Sequence, residues 1–166
     1  VLIDTGFGDN GAPTTGNLLS NMTAAGIDPK NIDTIIISHF HPDHVNGIRA
    51  KAGSLNFPNA EIMVHATDLK FFLDTSEESK APQPFKGMFA ASKRVFEPIA
   101  KDVKQFGYGK ELVPGITTVE APGHSPGHTA FLVTSGNAKL LVSCDTVNHE
   151  ILVRNPDWAL WADMDP

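Results

Sequence analysis

The stretch Ser38-His39-Phe40-His41-Pro42-Asp43-His44-Val45-Asn46-Gly47 (SHFHPDHVNG) follows directly on the apolar run Ile35-Ile36-Ile37. Three histidines and an aspartate occupy six consecutive positions at the end of a strand. In an extended segment, residues two apart face the same way, so His39 and His41 can converge on one ion. Pro42 then bends the chain and leaves Asp43 and His44 free to face a second. Neutral imidazole suits zinc, and a carboxylate beside it favours a hard or borderline divalent metal. The bland alternative, a His-rich surface loop without function, sits poorly with a cluster placed straight after a buried strand.

Working outward, the flanking segments read as an alternating α/β chain. Residues 1–5 predict a buried strand that ends in a Gly-rich loop from Gly6 to Gly16. Leu18, Leu19, Met22 and Ala25 then recur at helical spacing and stop at Gly26, a natural C-terminal cap. Asp28-Pro29 turns the chain into the strand 33–38, whose continuous apolar run is typical of a strand covered on both faces. Val45 and Ile48 start a short helix, and residues 60–65 (AEIMVH) form a further strand. Helices are predicted around 67–74 and 87–105, separated by a polar loop from Ser76 to Pro84, with Pro98 kinking or dividing the second. The remainder turns β-rich: Ile116–Glu120, Thr129–Thr134, a turn at Ser135-Gly136-Asn137, and Lys139–Cys144. No internal repeat interrupts the pattern, and residues 1–166 read as one mixed α/β domain.

Composition narrows the function classes. With 166 residues and 41% hydrophobic side chains, the chain can bury a real core. No apolar run approaches the roughly 20 residues that span a bilayer, so no membrane partner is expected. The opening Val1-Leu2-Ile3-Asp4-Thr5-Gly6 reads as a strand entered midway, which predicts a missing N-terminal region and leaves cytoplasm and periplasm both open. The single cysteine, Cys144, excludes an internal disulfide and a cysteine-based zinc cluster. A net charge of −6 without blocks of like charge argues against a nucleic-acid partner held through its phosphates. His65 at a strand end reads as a packed histidine, and Cys144 as a small buried residue.

Two later motifs continue the theme. Ala121-Pro122-Gly123-His124-Ser125-Pro126-Gly127-His128-Thr129 (APGHSPGHT) follows a predicted strand, with glycines that let the backbone turn tightly and bring His124 to the sheet end. Leu140-Leu141-Val142-Ser143-Cys144-Asp145 is a strand ending in an acid. Three strand ends thus offer His, His and Asp to what can be one edge. His39-x-His41-x-Asp43-His44, the PGHSPGHT loop and the strand-terminal Asp145 resemble successive motifs of the metallo-β-lactamase-fold hydrolases, and Asp4 in LIDTG matches that family's early strand-end aspartate. The resemblance spans almost the whole chain.

What the resemblance implies is specific. The fold would be an αββα sandwich with a two-metal cleft at one sheet edge. His39, His41 and His124 would bind one zinc, Asp43 and His44 the other, and Asp145 would bridge them. Asp4 would orient the histidine loop by hydrogen bonds, and His128 would be structural. Relatives carry a last metal-binding histidine some tens of residues after the bridging aspartate, so the fold is expected to be cut at both ends. His149 lies only four residues past Asp145, and so short a connection constrains its reach to the same place. From His44 to His124 is 80 positions and from His124 to Asp145 is 21, an interval that resembles the methyl parathion hydrolase-like and lactonase-like branch.

The expected activity is hydrolysis by a metal-bridging hydroxide attacking an ester-type bond, a lactone or an aryl phosphotriester, with Asp43 and Asp145 as catalytic carboxylates. Within the same family a thioesterase, β-lactamase or nuclease is the alternative, and outside enzymes a non-catalytic metal-binding module. A redox di-iron relative would carry glutamate where this chain has His41. The partner is a small molecule, and members of the branch are often homodimers. Between Thr67 and Gly115 lie Phe71, Phe72, Phe85, Phe89, Phe96, Phe106 and Tyr108, seven of thirteen aromatics, of which two or three are expected to reach the cleft. Trp158 and Trp161 are candidates for packing beneath the site, for substrate or for a partner subunit.

Overall fold

The computed structural model describes residues 1–165. Strands β1 (Leu2–Ile3), β2 (Thr34–Ile36), β3 (Glu61–His65) and β4 (Lys104–Phe106) form one sheet in sequence order, every pair parallel. Parallel strands joined in order by right-handed crossovers put all the connecting helices on one face. That face carries α1 (Leu18–Ala24), α3 (Ala66–Leu73) and α5 (Lys86–Phe96): Met22, Leu69, Phe72, Phe89, Val95 and Phe96 pack on Ile35, Ile37, Ile62 and Val64. The other face presents Ile36 and Met63 to Phe131 of a second sheet. Alternate residues of one apolar run therefore serve two cores, which is why β2 shows no polar position between Ile35 and Ile37.

The second sheet is an antiparallel meander of β5 (Glu111–Val113), β6 (Ile116–Glu120), β7 (Thr129–Ser135) and β8 (Ala138–Val142). The two sheets lie face to face, as the sandwich reading requires. At one end they are stitched directly, because Thr129 N–H at the start of β7 donates to Ser38 O just past β2 at 3.0 Å. β8 is the edge strand and leaves Leu140 and Leu141 61% and 57% exposed. No described helix is long and apolar enough to cross a membrane.

Several boundaries differ from the sequence reading. The helix expected over 87–105 ends at Phe96, and a 3-10 turn at Glu97–Ile99 built around Pro98 leads into the short strand β4. The polar loop from Ser76 to Pro84 contains α4 (Thr75–Lys80): the Asp74 carboxylate accepts from Ser76 N–H at 2.7 Å and caps it, while Lys80 pairs with Glu77. β8 stops at Val142, short of Cys144, whose φ of +50° no strand can contain. After His41 the chain is helical, with Pro42 as first residue of α2 (Pro42–Val45), which carries His44.

Gly47 closes the SHFHPDHVNG stretch for a steric reason. The loop after β1 crosses it so closely that a Cβ would stand 2.0 Å from Thr5 O, while Gly47 N–H donates to Gly6 O at 2.8 Å. Phe40, between the first two histidines, points instead into the helical core and stacks on Phe96 at 4.1 Å. Phe96→Ala is expected to cost about 3–5 kcal/mol, as for other buried phenylalanines, measured by urea unfolding of the folded protein.

Candidate metal centre

The site lies where β2 and β8 end and where the loop after β6 returns. From Ser38 the chain runs extended, which turns His39 and His41 inward, and both are almost wholly buried. The first turn of α2 then brings His44 round beside them, with ring centroids of His39 and His44 4.0 Å apart. His124 comes from the loop after β6, and its centroid is 4.4 Å from that of His41. Asp145 sits in the turn Cys144–Thr146 after β8. Its Oδ2 is 3.3 Å from His124 Nε2, 3.4 Å from His44 Nε2 and 3.9 Å from His39 Nε2.

A neutral imidazole carries one proton and one lone pair, so the partner of each outward nitrogen decides what the inward one offers. Ser38 Oγ donates to Asp4 Oδ2 at 2.7 Å, which leaves it to accept from His39 Nδ1–H at 3.0 Å. His44 Nδ1–H donates to Asp4 Oδ2 at 2.9 Å, and His124 Nδ1–H to Asp163 Oδ1 at 2.7 Å. Nε2 of His39, His44 and His124 thereby turns its lone pair toward one region. His41 Nδ1 stands 2.8 Å from His124 Nε2. His39 Nε2 and His41 Nε2 are buried without a hydrogen-bond partner, a costly arrangement for two polar atoms unless something else satisfies them.

Electrostatics separate the rings. Burial drives His39 well below its ordinary range and His41 down to about 3, helped by neighbouring imidazoles. Burial also pushes His44 down, but hydrogen bonds to Asp145 and Asp4 outweigh it and raise it to about 10. His124 is likewise raised against burial by Asp145 and Asp163. Burial alone would raise Asp145, yet His124 and His44 hold its carboxyl far below the usual range. A divalent cation would replace the protons held on such rings, so metal uptake releases protons.

Two groups of three donors close to within 4.8 Å: His39 with His41 and His124, and His39 with His44 and Asp145. The donor set, imidazole with carboxylate, suits zinc, and the orphaned Nε2 of His39, which both groups share, fits a centre made for a cation. Asp43 stands outside both groups; its Oδ2 is 3.6 Å from His44 Nε2 and its side chain is 48% exposed. His128 uses both nitrogens elsewhere, donating from Nδ1 to Ala121 O at 2.9 Å and accepting Asp145 N–H on Nε2 at 3.1 Å. Burial lowers it to about 4, so it stays neutral and supports the Asp145 backbone. His65 caps α3 by accepting Thr67 N–H and stacks on Tyr108, while His149 is exposed and caps α6 (Glu150–Arg154). Cys144 is half-buried rather than buried, and burial pushes its thiol up to about 12.

Beside the centre opens a cleft of about 550 Å³, whose lining includes Phe7, Met88, Leu160 and Trp161 together with His41, Asp43, His124 and Asp145. The aromatics of the insert are mainly core: Phe72, Phe89 and Phe96 are buried, and Phe71 and Phe85 border a neighbouring hollow that shares Trp161. Two functional partners escaped the sequence reading. Ser38 looked like the last residue of a strand, and Asp163 lay in a Trp-containing segment without periodicity; the only signal for Ser38 was its place immediately before the first histidine.

Fold and donor set together define a two-sheet α/β protein built around a divalent-cation centre. A family model described as the metallo-beta-lactamase superfamily matches residues 1–165, and the chain belongs to that superfamily. It is similar to an N-acyl homoserine lactonase of Bacillus thuringiensis, 27% identical over 165 residues that cover 87% of this chain. Among solved structures it resembles AbOPH, a hydrolase in the beta lactamase superfamily, at 30% identity and a TM-score of 0.89 over 99% of this chain. It also resembles AidC, a dizinc quorum-quenching lactonase in complex with a product N-hexnoyl-L-homoserine, at 31% identity and a TM-score of 0.88 over 98% of this chain. The chain spans 58% of the length of each of these three proteins.

The Asp4 carboxylate holds Ser38 N–H at 2.8 Å, Ser38 Oγ and His44 Nδ1 at once. Asn at this position tolerates the φ of +57° but cannot accept all three bonds. Asp4→Asn should therefore weaken zinc binding by about 10- to 100-fold while leaving the fold intact, measured by competition with a chromophoric chelator.

Proposed function

We propose that this protein is a zinc-dependent lactonase, with N-acyl homoserine lactones as the first substrate class to test. The observation that carries the reading is the buried, unpartnered Nε2 of His39, the residue that both donor groups share, which lies 3.9 Å from Asp145 Oδ2. Relatives named as N-acyl homoserine lactonases support the substrate class. In this reading His39, His41 and His124 would hold one zinc and Asp43 and His44 the other, with Asp145 as the carboxylate that would serve both. Bound zinc supplies a Lewis acid and brings the pKa of a water toward neutrality.

The chain's own residues do the rest. Asp145, anchored through its backbone by His128, keeps its carboxylate between the two donor groups. Asp43, 48% exposed beside His44, would take the proton that the attacking water gives up and hand it to the leaving alkoxide as the ring opens. Phe7, Met88, Leu160 and Trp161 give the cleft an apolar wall on which an acyl chain can lie without burying an unmatched polar group.

The zinc-loaded, full-length protein should open an N-acyl homoserine lactone much faster than it cleaves an aryl phosphotriester, a thioester, a cephalosporin or RNA. Background rates on the lactone beside turnover of any other member of that panel would reject the lactonase reading. His41→Ala and Asp145→Ala should each bring lactone turnover down to background. His65→Ala should keep most of it, at some cost in melting temperature from the lost helix cap.

A further inference from the structure

The histidines of the centre arrive on two separate loops, and one buried side chain touches both. Asp68, in the first turn of α3, is wholly buried. An acid at that point of a helix ordinarily faces water and serves the helix end, so its burial needs another cause. Its Oδ2 accepts Phe40 N–H at 3.2 Å, the peptide between His39 and His41. The same oxygen accepts Ser125 Oγ–H at 2.7 Å, and Oδ1 accepts Gly127 N–H at 2.6 Å, on either side of Pro126 in the loop that carries His124.

Three donors and no acceptor surround the carboxylate, a demand that only an acceptor-only group meets in full. On the next peptide, Ser92 Oγ donates to Phe40 O at 2.9 Å, so the residue between the two histidines is held at both its N–H and its C=O. Gly127 is fitted to the contact as well. A Cβ there would stand 2.8 Å from Asp68 N and 2.9 Å from Asp68 Oδ1.

We propose that Asp68 is a positioning residue that clamps the His39–His41 segment to the His124 loop, so that three imidazoles from two loops meet at one point. The proposal rests on the reading of those three histidines as a single zinc site, and its chemistry concerns metal geometry rather than the substrate. Asp68 does not touch the cation; it fixes the distance between ligands that reach it from different sheets.

The test is cobalt and zinc uptake by the full-length protein, read from the visible d–d absorption of bound cobalt and from chelator competition for zinc. Asp68→Asn, which puts donors where donors already point, should bind metal about 10- to 100-fold more weakly and change the intensity of the cobalt bands. Ser125→Ala removes one of the three bonds and should shift both readouts in the same direction by less. Thr118→Val removes a buried hydroxyl that bonds Gly107 and Lys110 and neither histidine loop, and should lower the melting temperature without moving the cobalt spectrum. A folded Asp68→Asn protein with unaltered affinity and spectrum overturns the proposal. If that variant does not fold, unchanged metal binding in Ser125→Ala overturns it. Failure of the unaltered protein to take up either metal would reject the zinc-site reading itself, and the clamp with it.

Discussion

The centre depends on a constraint of imidazole itself: a neutral ring has a single lone pair, and a ring packed among others must be told which way to turn it. His39, His44 and His124 each give their Nδ1–H to an oxygen outside the cluster, from Ser38, Asp4 and Asp163. Without those oxygens, rings with centroids 4.0 to 4.8 Å apart would present protons to one another as readily as lone pairs. The hydroxyl of Ser38 shows the economy of the arrangement. Its single proton is committed to Asp4, so it faces His39 only as an acceptor, and one aspartate thereby sets the direction of two rings.

This orientation is possible because the residues stand at the ends of strands rather than within them. Inside a sheet, side chains alternate between two faces, so residues as close in sequence as His41 and His44 would point to opposite sides. At the strand ends the backbone is released by local conformations that strands do not allow. Asp4 takes a φ of +57° directly after β1, and Cys144 takes +50° directly before Asp145. Such left-handed residues are strained when they are not glycine, and both flank groups whose aim matters. The bond from Thr129 N–H to Ser38 O then locks the two sheets at the same edge, so residues delivered by a parallel sheet and by an antiparallel one share one frame.

What could be read from the sequence was what the chemistry repeats: histidine spacing, the glycine-bearing His124 loop, and an acid at the end of an apolar run. Strands that run through both cores were legible as well, because burial on two faces leaves an unbroken apolar string. The supporting residues were not. Ser38, Asp68 and Asp163 act through hydrogen bonds across 34, 57 and 39 positions, and nothing local distinguishes them from a strand end, a helix-capping acid and a loop acid. The short elements failed for a different reason. β4 and α4 are too brief for periodicity to register, and the latter is set by a cap at Asp74 inside a stretch whose composition reads as loop.

The cleft has two walls with different obligations. Residues 156–165 form a strap that hangs from the His124 loop: Met164 N–H and Asp165 N–H both donate to Gly123 O at 3.0 Å. Asp163 meanwhile binds His124 Nδ1 through one oxygen and Leu160 N–H through the other. Leu160 and Trp161 therefore cannot shift without carrying with them the carboxylate that orients a ligand candidate. Phe7 and Met88 line the same cleft from a loop and from α5, and share no described hydrogen bond with the histidines. A change of side-chain volume there alters the space for a substrate while the donor geometry stays as it is. Substrate range is free to vary on the Phe7–Met88 wall, whereas the strap is bound to conserve its shape for the sake of His124.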